Sequence, residues 1–332
     1  MESNNGFATA LNVTIACSAI LGNGLVIFVM TVRREQFSSF TNRLIRHQSI
    51  IDFLSGLVFL LMTGIIQSSL LENVEINFSG WILCRLIFSN FFVWGLSVAS
   101  TYNLVVISLE RFLATCYPVK HRNYCSLFKI NVSMCVAWII GFIYAVMYIF
   151  LYKVNGNRCG FNRSISPTAL NIVFCVTVFV EYIVPVILIS FSYVRILLVL
   201  RNKLFNANAN QQDGVFSKAK RNVIMTMLIA GCMFFICWTP TQTLRFLLTI
   251  GVVTRRTSSF TSISLAFTGL IMCNMSVNPV VYCFKYEHFR TQLKQLVRGR
   301  FGRSRVRPGV ESNDAPSLAI DPIQQSAITQ AM

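Results

Sequence analysis

Five stretches of this 332-residue chain hold no charged side chain: Glu2 to Arg33, Arg85 to Glu110, Lys129 to Lys153, Arg221 to Arg245 and Arg256 to Lys285. At ~1.5 Å of rise per helical residue, each gap can cross ~30 Å of hydrocarbon. Two further apolar stretches hold one acid each: Asp52 lies between His47 and Glu72, and Glu181 between Arg163 and Arg195. A bilayer core offers no water to backbone amides, so continuous apolar runs of this length read as helices. The expected fold is an all-α membrane protein, a seven-transmembrane helix bundle with a short amphipathic eighth helix. The spans are placed near 8–32, 44–71, 82–114, 127–152, 167–200, 217–249 and 257–283, and the eighth helix near 285–299. Residues 1–7 are then a short extracellular amino terminus, 8–300 the seven-transmembrane domain with its eighth helix, and 301–332 a disordered cytoplasmic tail whose serines are phosphorylation candidates.

Composition agrees, with 54% hydrophobic and 12% charged residues. Orientation follows from Lys and Arg. With the amino terminus outside, 22 of the 29 basic residues fall on the cytoplasmic side, as the positive-inside rule requires. The net charge of +17 is therefore mainly a topology signal with attraction to anionic lipid, and nucleic acid is not an expected partner. No cleavable signal is evident in the first ten residues, so the first span is expected to serve as its own insertion signal. Of 11 cysteines, only Cys84 and Cys159 fall in segments placed outside, which predicts one disulfide between them. The sequons at Asn12, Asn77 and Asn162 are also placed outside, as glycosylation candidates, while those at Asn131 and Asn274 lie within helices.

Several polar groups interrupt the spans. Asn278-Pro279-Val280-Val281-Tyr282 puts a helix-interrupting proline in mid-membrane, where the carbonyl it frees needs a polar partner. On the third span Val93, Ser100 and Arg111 are spaced by nearly whole turns and share one stripe, which ends at Glu110-Arg111-Phe112. On the sixth, Cys237-Trp238-Thr239-Pro240 sets a large aromatic beside a second proline, with Phe234 one turn inward.

Together with Gly22-Asn23, Asp52, Trp138, Pro185, Tyr193 and Phe289-Arg290, these motifs resemble, in order and spacing, those of the rhodopsin-like (class A) G-protein-coupled receptors. The resemblance covers nearly the whole chain. It implies an extracellular ligand, an inward-facing heterotrimeric G protein, outward swing of the sixth helix on activation, arrestin and receptor kinases as further partners, and a plasma-membrane location. It also implies activation and coupling roles for Glu110, Arg111, Val119, Tyr193, Phe234, Trp238, Pro240, Pro279 and Tyr282. Departures are informative. Cys84 lies farther from Arg111 than is usual, Phe112 replaces a tyrosine, and Lys220 stands where some relatives carry an acid. Val93 stands where amine receptors carry an aspartate, and Met272 where opsins carry the retinal lysine, so neither of those ligands has its anchor.

A mid-membrane carboxylate costs ~2.5 kcal/mol or more, so Asp52 must be neutralised. Ser100, Asn274 and Asn278 are placed to converge on it, with Asn23 close by. A sodium ion held by these groups is one reading, and a protonated, hydrogen-bonded acid the other. In the outer half, Glu181, Gln242 and Arg245, with Val93, Trp94 and Gln67, are the ligand-binding candidates. Glu181 and Arg245 either meet a small neuropeptide or pair with each other. Lipid and other non-amine ligands stay as alternatives. A transporter is disfavoured because no internal symmetry is visible. Enzyme chemistry is not expected, because Asp52 and Glu181 fall in opposite halves of the membrane and form no catalytic pair.

Overall fold

The computed structural model describes residues 2–67, 77–156, 158–209, 218–252 and 260–302, and side chains over 9–65, 77–156, 158–202, 222, 224–252 and 266–298. Helices run α1 (Glu2–Val32), α2 (Phe40–Gln67), α3 (Phe78–Ile82), α4 (Phe91–Cys116), α5 (Pro118–Tyr124), α6 (Leu127–Leu151), α7 (Pro167–Val178), α8 (Val184–Ala209), α9 (Lys218–Thr249), α10 (Phe260–Lys285) and α11 (Glu287–Gly302). A π-helical turn, Leu83–Phe88, follows α3, and a second, Phe179–Ile183, joins α7 to α8. Strands β1 (Tyr152–Asn155) and β2 (Arg158–Phe161) pair antiparallel.

Among the described residues, seven segments are long and apolar enough to cross a membrane: Thr9–Val32, Phe40–Ile65, Phe78–Cys116, Leu127–Leu151, Pro167–Asn202, Ile224–Thr249 and Ala266–Lys285. The chain is a multi-pass membrane protein. Its spans are apolar on the outward face as well as the inward one. On α6, Val132, Val136, Ile139, Ile143, Val146 and Phe150 recur every three or four residues and are exposed, the stripe a lipid-facing helix presents. The opposite face buries Ala137, Gly141 and Ala145. A β-carbon on Gly141 would collide with the backbone at Gly95 and Ala99, so the small residue lets α6 close on α4. Helix α4 is the central strut, touching α2, α6, α8, α9 and α10.

The expected seven-helix bundle is present with one added feature: Tyr152–Asn155 and Arg158–Phe161 form a hairpin whose Val154↔Cys159 register places Cys159 on its second strand. Helix α1 runs from Glu2, and its candidate membrane span, Thr9–Val32, agrees with the one expected near 8–32; Asn12 falls inside that span, which corrects the placement of its sequon outside. The third span begins at Phe78, not at residue 82. Its extra length from Cys84 to Arg111 is taken up by the π-turn and by Ser89-Asn90, where Asn90 adopts φ 56° and breaks the helix before α4. Finally, the link after the third span contains α5, begun by Pro118 at its first helical position, where its missing N–H costs nothing. Two compact units are separable, residues 1–294 and 295–332. The expected tail from 303 onward and most of the 206–214 connector fall outside the described residues.

Candidate functional site

Pro279 and Pro185 show how kinked spans are made tolerable. Pro279 has no N–H for the carbonyl of Met275 four residues earlier, and the Asn23 amide supplies it from α1 at 2.8 Å. Gly22 lets α1 come that close, since a β-carbon there would stand 2.9 Å from that of Pro279. In the π-turn the bonds run five residues back, as Val184 N–H to Phe179 O shows. Pro185 therefore leaves the carbonyl of Val180 without its donor, and Tyr102 on α4 donates its hydroxyl to it at 2.9 Å. The π-turn also rotates Glu181, fully buried, into the bundle.

Asp52 lies at the end of a directed hydrogen-bond chain. Trp138 donates to His47 Nε2 at 2.8 Å, which leaves His47 Nδ1–H to donate to Asn103 Oδ1 at 2.8 Å. Asn103 Nδ2 donates to Gln48 Oε1 at 2.8 Å, and Gln48 Nε2 donates to both Asp52 oxygens at 3.2 Å and to Ser100 Oγ at 2.5 Å. Ser100 Oγ reaches Asp52 Oδ1 at 2.7 Å, and Asn278 Nδ2 reaches Oδ2 at 2.8 Å. Each of these contacts brings a donor to the carboxylate. Asn274 makes no direct contact with Asp52 but lines a small cavity beside it with Ser55, Ser97, Ser100 and Trp238. Carboxylate, hydroxyl and amide oxygens around such a space fit a small hard cation. Asn23 is drawn to Met275 and Ala19 and does not reach Asp52. Gln48 was missed from the sequence, although its position one turn before Asp52 on the same face was the available signal.

In the outer half the structure joins Glu181 and Arg245 directly. The pairing left open by the sequence is therefore present. Tyr144 also donates to Glu181, and Gln242 Nε2 does so at 2.6 Å. The Arg245 guanidinium lies 5.2 Å over the Trp94 ring, which stacks on Tyr148 at 5.4 Å. Val93 is buried on α4, and Trp238 is buried on α9 with Phe234 5.6 Å away. Trp238 Nε1 and Gln242 Oε1 are buried with no hydrogen-bond partner. The Gln67 side chain lies outside the described residues. Tyr144 and Tyr148 were not anticipated; a tyrosine pair one turn apart in an otherwise apolar helix was the signal.

The opposite end carries a second ionic cluster. Arg111 donates from Nε and an Nη to the two oxygens of Glu110, both at 2.6 Å, and Glu110 also meets Thr41 at 2.9 Å and His121 at 3.0 Å. One carboxylate thus ties α4 to α2 and to α5. Val119 on α5 is 72% exposed. Tyr193 and Tyr282 are buried, and the Ser108 hydroxyl reaches Tyr193 at 3.5 Å. Tyr286 donates to Asn42 at 2.7 Å, and burial pushes its phenol up to about 12. Pro240 interrupts α9, and the Lys220 side chain is outside the described set. Thr41 and His121 were invisible in the sequence because they lie 69 and 11 residues from Glu110.

Cys84 and Cys159 form a disulfide with Cα atoms 5.2 Å apart, tying the hairpin to the π-turn at the end opposite Arg111. Asn77 caps α3 by accepting from Gly80 N–H at 2.9 Å, and Asn162 lies just after β2.

Residues 22–282 match the sequence profile of the 7 transmembrane receptor (rhodopsin family). Galanin receptor 2b of Danio rerio is 26% identical over 90% of this chain and 77% of its own length. The substance-P receptor of Aquarana catesbeiana is 28% identical over 68% of this chain and 58% of its own. Trace amine-associated receptor 1 of Mus musculus is 26% identical over 86% of this chain and 87% of its own.

Proposed function

The chain belongs to the rhodopsin family of seven-transmembrane receptors, and we propose that it binds a small extracellular neuropeptide at the plasma membrane and activates a heterotrimeric G protein. The observation that carries the ligand assignment is the buried cluster of Glu181, Arg245, Gln242, Tyr144 and Trp94 above Trp238. It offers one group of each charge, and Gln242 Oε1 and Trp238 Nε1 have unused hydrogen-bonding capacity, which suits a peptide's amides and termini. An amine ligand would want a carboxylate at Val93, and that position is apolar. The names of the galanin and substance-P receptors support the same ligand class. The disulfide supports the outward assignment of its end, because extracellular space is oxidising, and the basic residues support the inward assignment of the other.

In the mechanism, ligand favours an arrangement in which α9 moves at Pro240 and α10 at Pro279, and the Arg111–Glu110 pair opens toward the G protein, with Val119 docking against it. The change is a population shift, so ligand must bind the open arrangement better than the closed one. Asp52, Ser100, Asn274 and Asn278 are the groups that would hold a sodium ion, which would supply the positive charge that a buried carboxylate needs in the closed arrangement. Tail residues beyond 302 would serve receptor kinases and arrestin.

A peptide library applied to cells carrying this receptor and a promiscuous G protein tests the reading, with an amine panel alongside. Peptide-dependent nucleotide exchange that Arg111→Ala and Val119→Asp each abolish at normal surface expression is expected. Exchange driven by amines alone would overturn the ligand class, and solute flux without exchange would overturn the receptor role.

A further inference from the structure

A carboxylate presents about four lone-pair sites on its two oxygens. At Asp52 four contacts fill them: Ser100 at 2.7 Å and Gln48 at 3.2 Å on Oδ1, Asn278 at 2.8 Å and Gln48 at 3.2 Å on Oδ2. The same Gln48 amide also donates to Ser100 Oγ at 2.5 Å, so it engages a second oxygen of the site. The cavity that Asn274, Ser55 and Ser97 line beside these groups has a volume of only ≈ 10 Å³, room for one water-sized occupant. A small cation drawn from there to Asp52 needs lone pairs that are already in use. The Gln48 contacts are the longest of the four, so they are the ones that must yield.

The direction of the Gln48 amide is set from outside the site. An indole N–H can only donate, so Trp138 makes His47 Nε2 an acceptor, and every later group in the chain follows from that. His47 Nδ1–H then donates to Asn103 Oδ1 and Asn103 Nδ2 to Gln48 Oε1, which leaves Gln48 Nε2 turned to Asp52. Reversing the amide would set Gln48 Oε1 against the carboxylate and its N–H groups against the Asn103 donor. Gln48, Asn103 and Asp52 are all buried, so water does not relieve such a clash. We infer that Gln48 is an internal stand-in for the cation: its amide, aimed by Trp138 through His47 and Asn103, answers the Asp52 carboxylate from within the protein and weakens sodium binding there. The inference rests on the reading of Asp52, Ser100, Asn274 and Asn278 as the groups that would hold the ion. Its consequence is a closed arrangement held by the contact of α2 with α4 and α10 more than by sodium.

The test titrates the full receptor, purified in micelles without ligand, with sodium chloride against N-methylglucamine chloride at constant ionic strength, and reads the thermal midpoint. Gln48→Met keeps the length of the side chain and removes its donor, while Asn103 Nδ2 keeps the Leu44 carbonyl at 3.2 Å. Without sodium this variant should unfold at a lower temperature than the native chain. Sodium should recover that loss, with a half-maximal concentration roughly tenfold below the native one, the equivalent of one hydrogen bond to a charged group. Gln48→Leu should do the same, so a folding defect peculiar to one shape does not decide the result. Trp138→Phe frees the chain to reverse and should move the sodium dependence in the same direction by less; an unchanged response in that variant would overturn the relay. Asp52→Asn should abolish the response in each background. A native response as sensitive as that of both Gln48 variants, and abolished by Asp52→Asn, would overturn the role of Gln48 and leave the cation site standing. No sodium response in any of these chains would overturn the site itself and the inference with it.

Discussion

Replacing Asn23 by alanine should expose how the kink at Pro279 is tolerated. The Asn23 amide donates to Ala19 O at 2.9 Å and to Met275 O at 2.8 Å. Ala19 O keeps a helical donor after the substitution, but Met275 O does not, because its helical partner would be the N–H that Pro279 lacks. An unsatisfied buried carbonyl costs ~1–3 kcal/mol, and interhelical hydrogen bonds in membranes average ~0.6 and reach ~1.7 kcal/mol. Asn23 Oδ1 is itself buried without a partner, so its removal offsets part of the loss. The expected net cost is ~1 kcal/mol, a fall of roughly 2 °C in apparent midpoint for a chain of this size. Thermal unfolding in micelles at one fixed scan rate would measure it in Asn23→Ala, Pro279→Ala and the double variant. Pro279→Ala restores the missing N–H, so in that background Asn23→Ala should cost close to nothing. An equal cost in both backgrounds would refute the assignment of Asn23 as the partner of the proline-freed carbonyl.

Three further outcomes are expected. Arg245→Gln leaves the Glu181 carboxylate buried without its cation and should destabilise the receptor by ~3–5 kcal/mol, with much of the loss recovered in Glu181→Gln/Arg245→Gln; thermal midpoints check this, and no recovery would count against a structural pair. Glu110→Gln loosens Arg111, His121 and Thr41 together and should raise ligand-independent nucleotide exchange, whereas His121→Ala removes one contact and should raise it less; unchanged basal exchange in Glu110→Gln would show that this carboxylate is no restraint. Asn12→Gln should leave the mass of receptor from mammalian cells unchanged, because the Asn12 sequon is inside a helical span, and a lost glycan on that variant would show that α1 starts later.

How much was legible beforehand depended on the range of the interaction. Seven apolar stretches, five of them uncharged and two holding one acid each, specify seven helices because the bilayer imposes one rule on every residue in a span, and a rule that acts locally can be read locally. The disulfide was readable for the same reason, since compartment and span count leave two outward cysteines. Motif residues such as Asp52, Arg111, Trp238 and Pro279 stood out because each breaks the apolar pattern of its own helix. Their partners did not. Gln48 and Asn103 look like ordinary polar residues until α2 and α4 are packed together, and Tyr144 is one aromatic among many until Glu181 arrives 37 residues later in the chain.

The second π-turn likewise depends on a residue outside its own sequence: Pro185 leaves the carbonyl of Val180 without its donor, and Tyr102 on α4 supplies one. By itself, then, the sequence of this protein determined how many times the chain crosses the membrane and which side chains are costly enough to need a reason. Only the tertiary structure decided which groups supply that reason. A buried charge or an orphaned carbonyl can be neutralised by many partners that are equivalent in sequence, and packing brings just one set of them within hydrogen-bond distance.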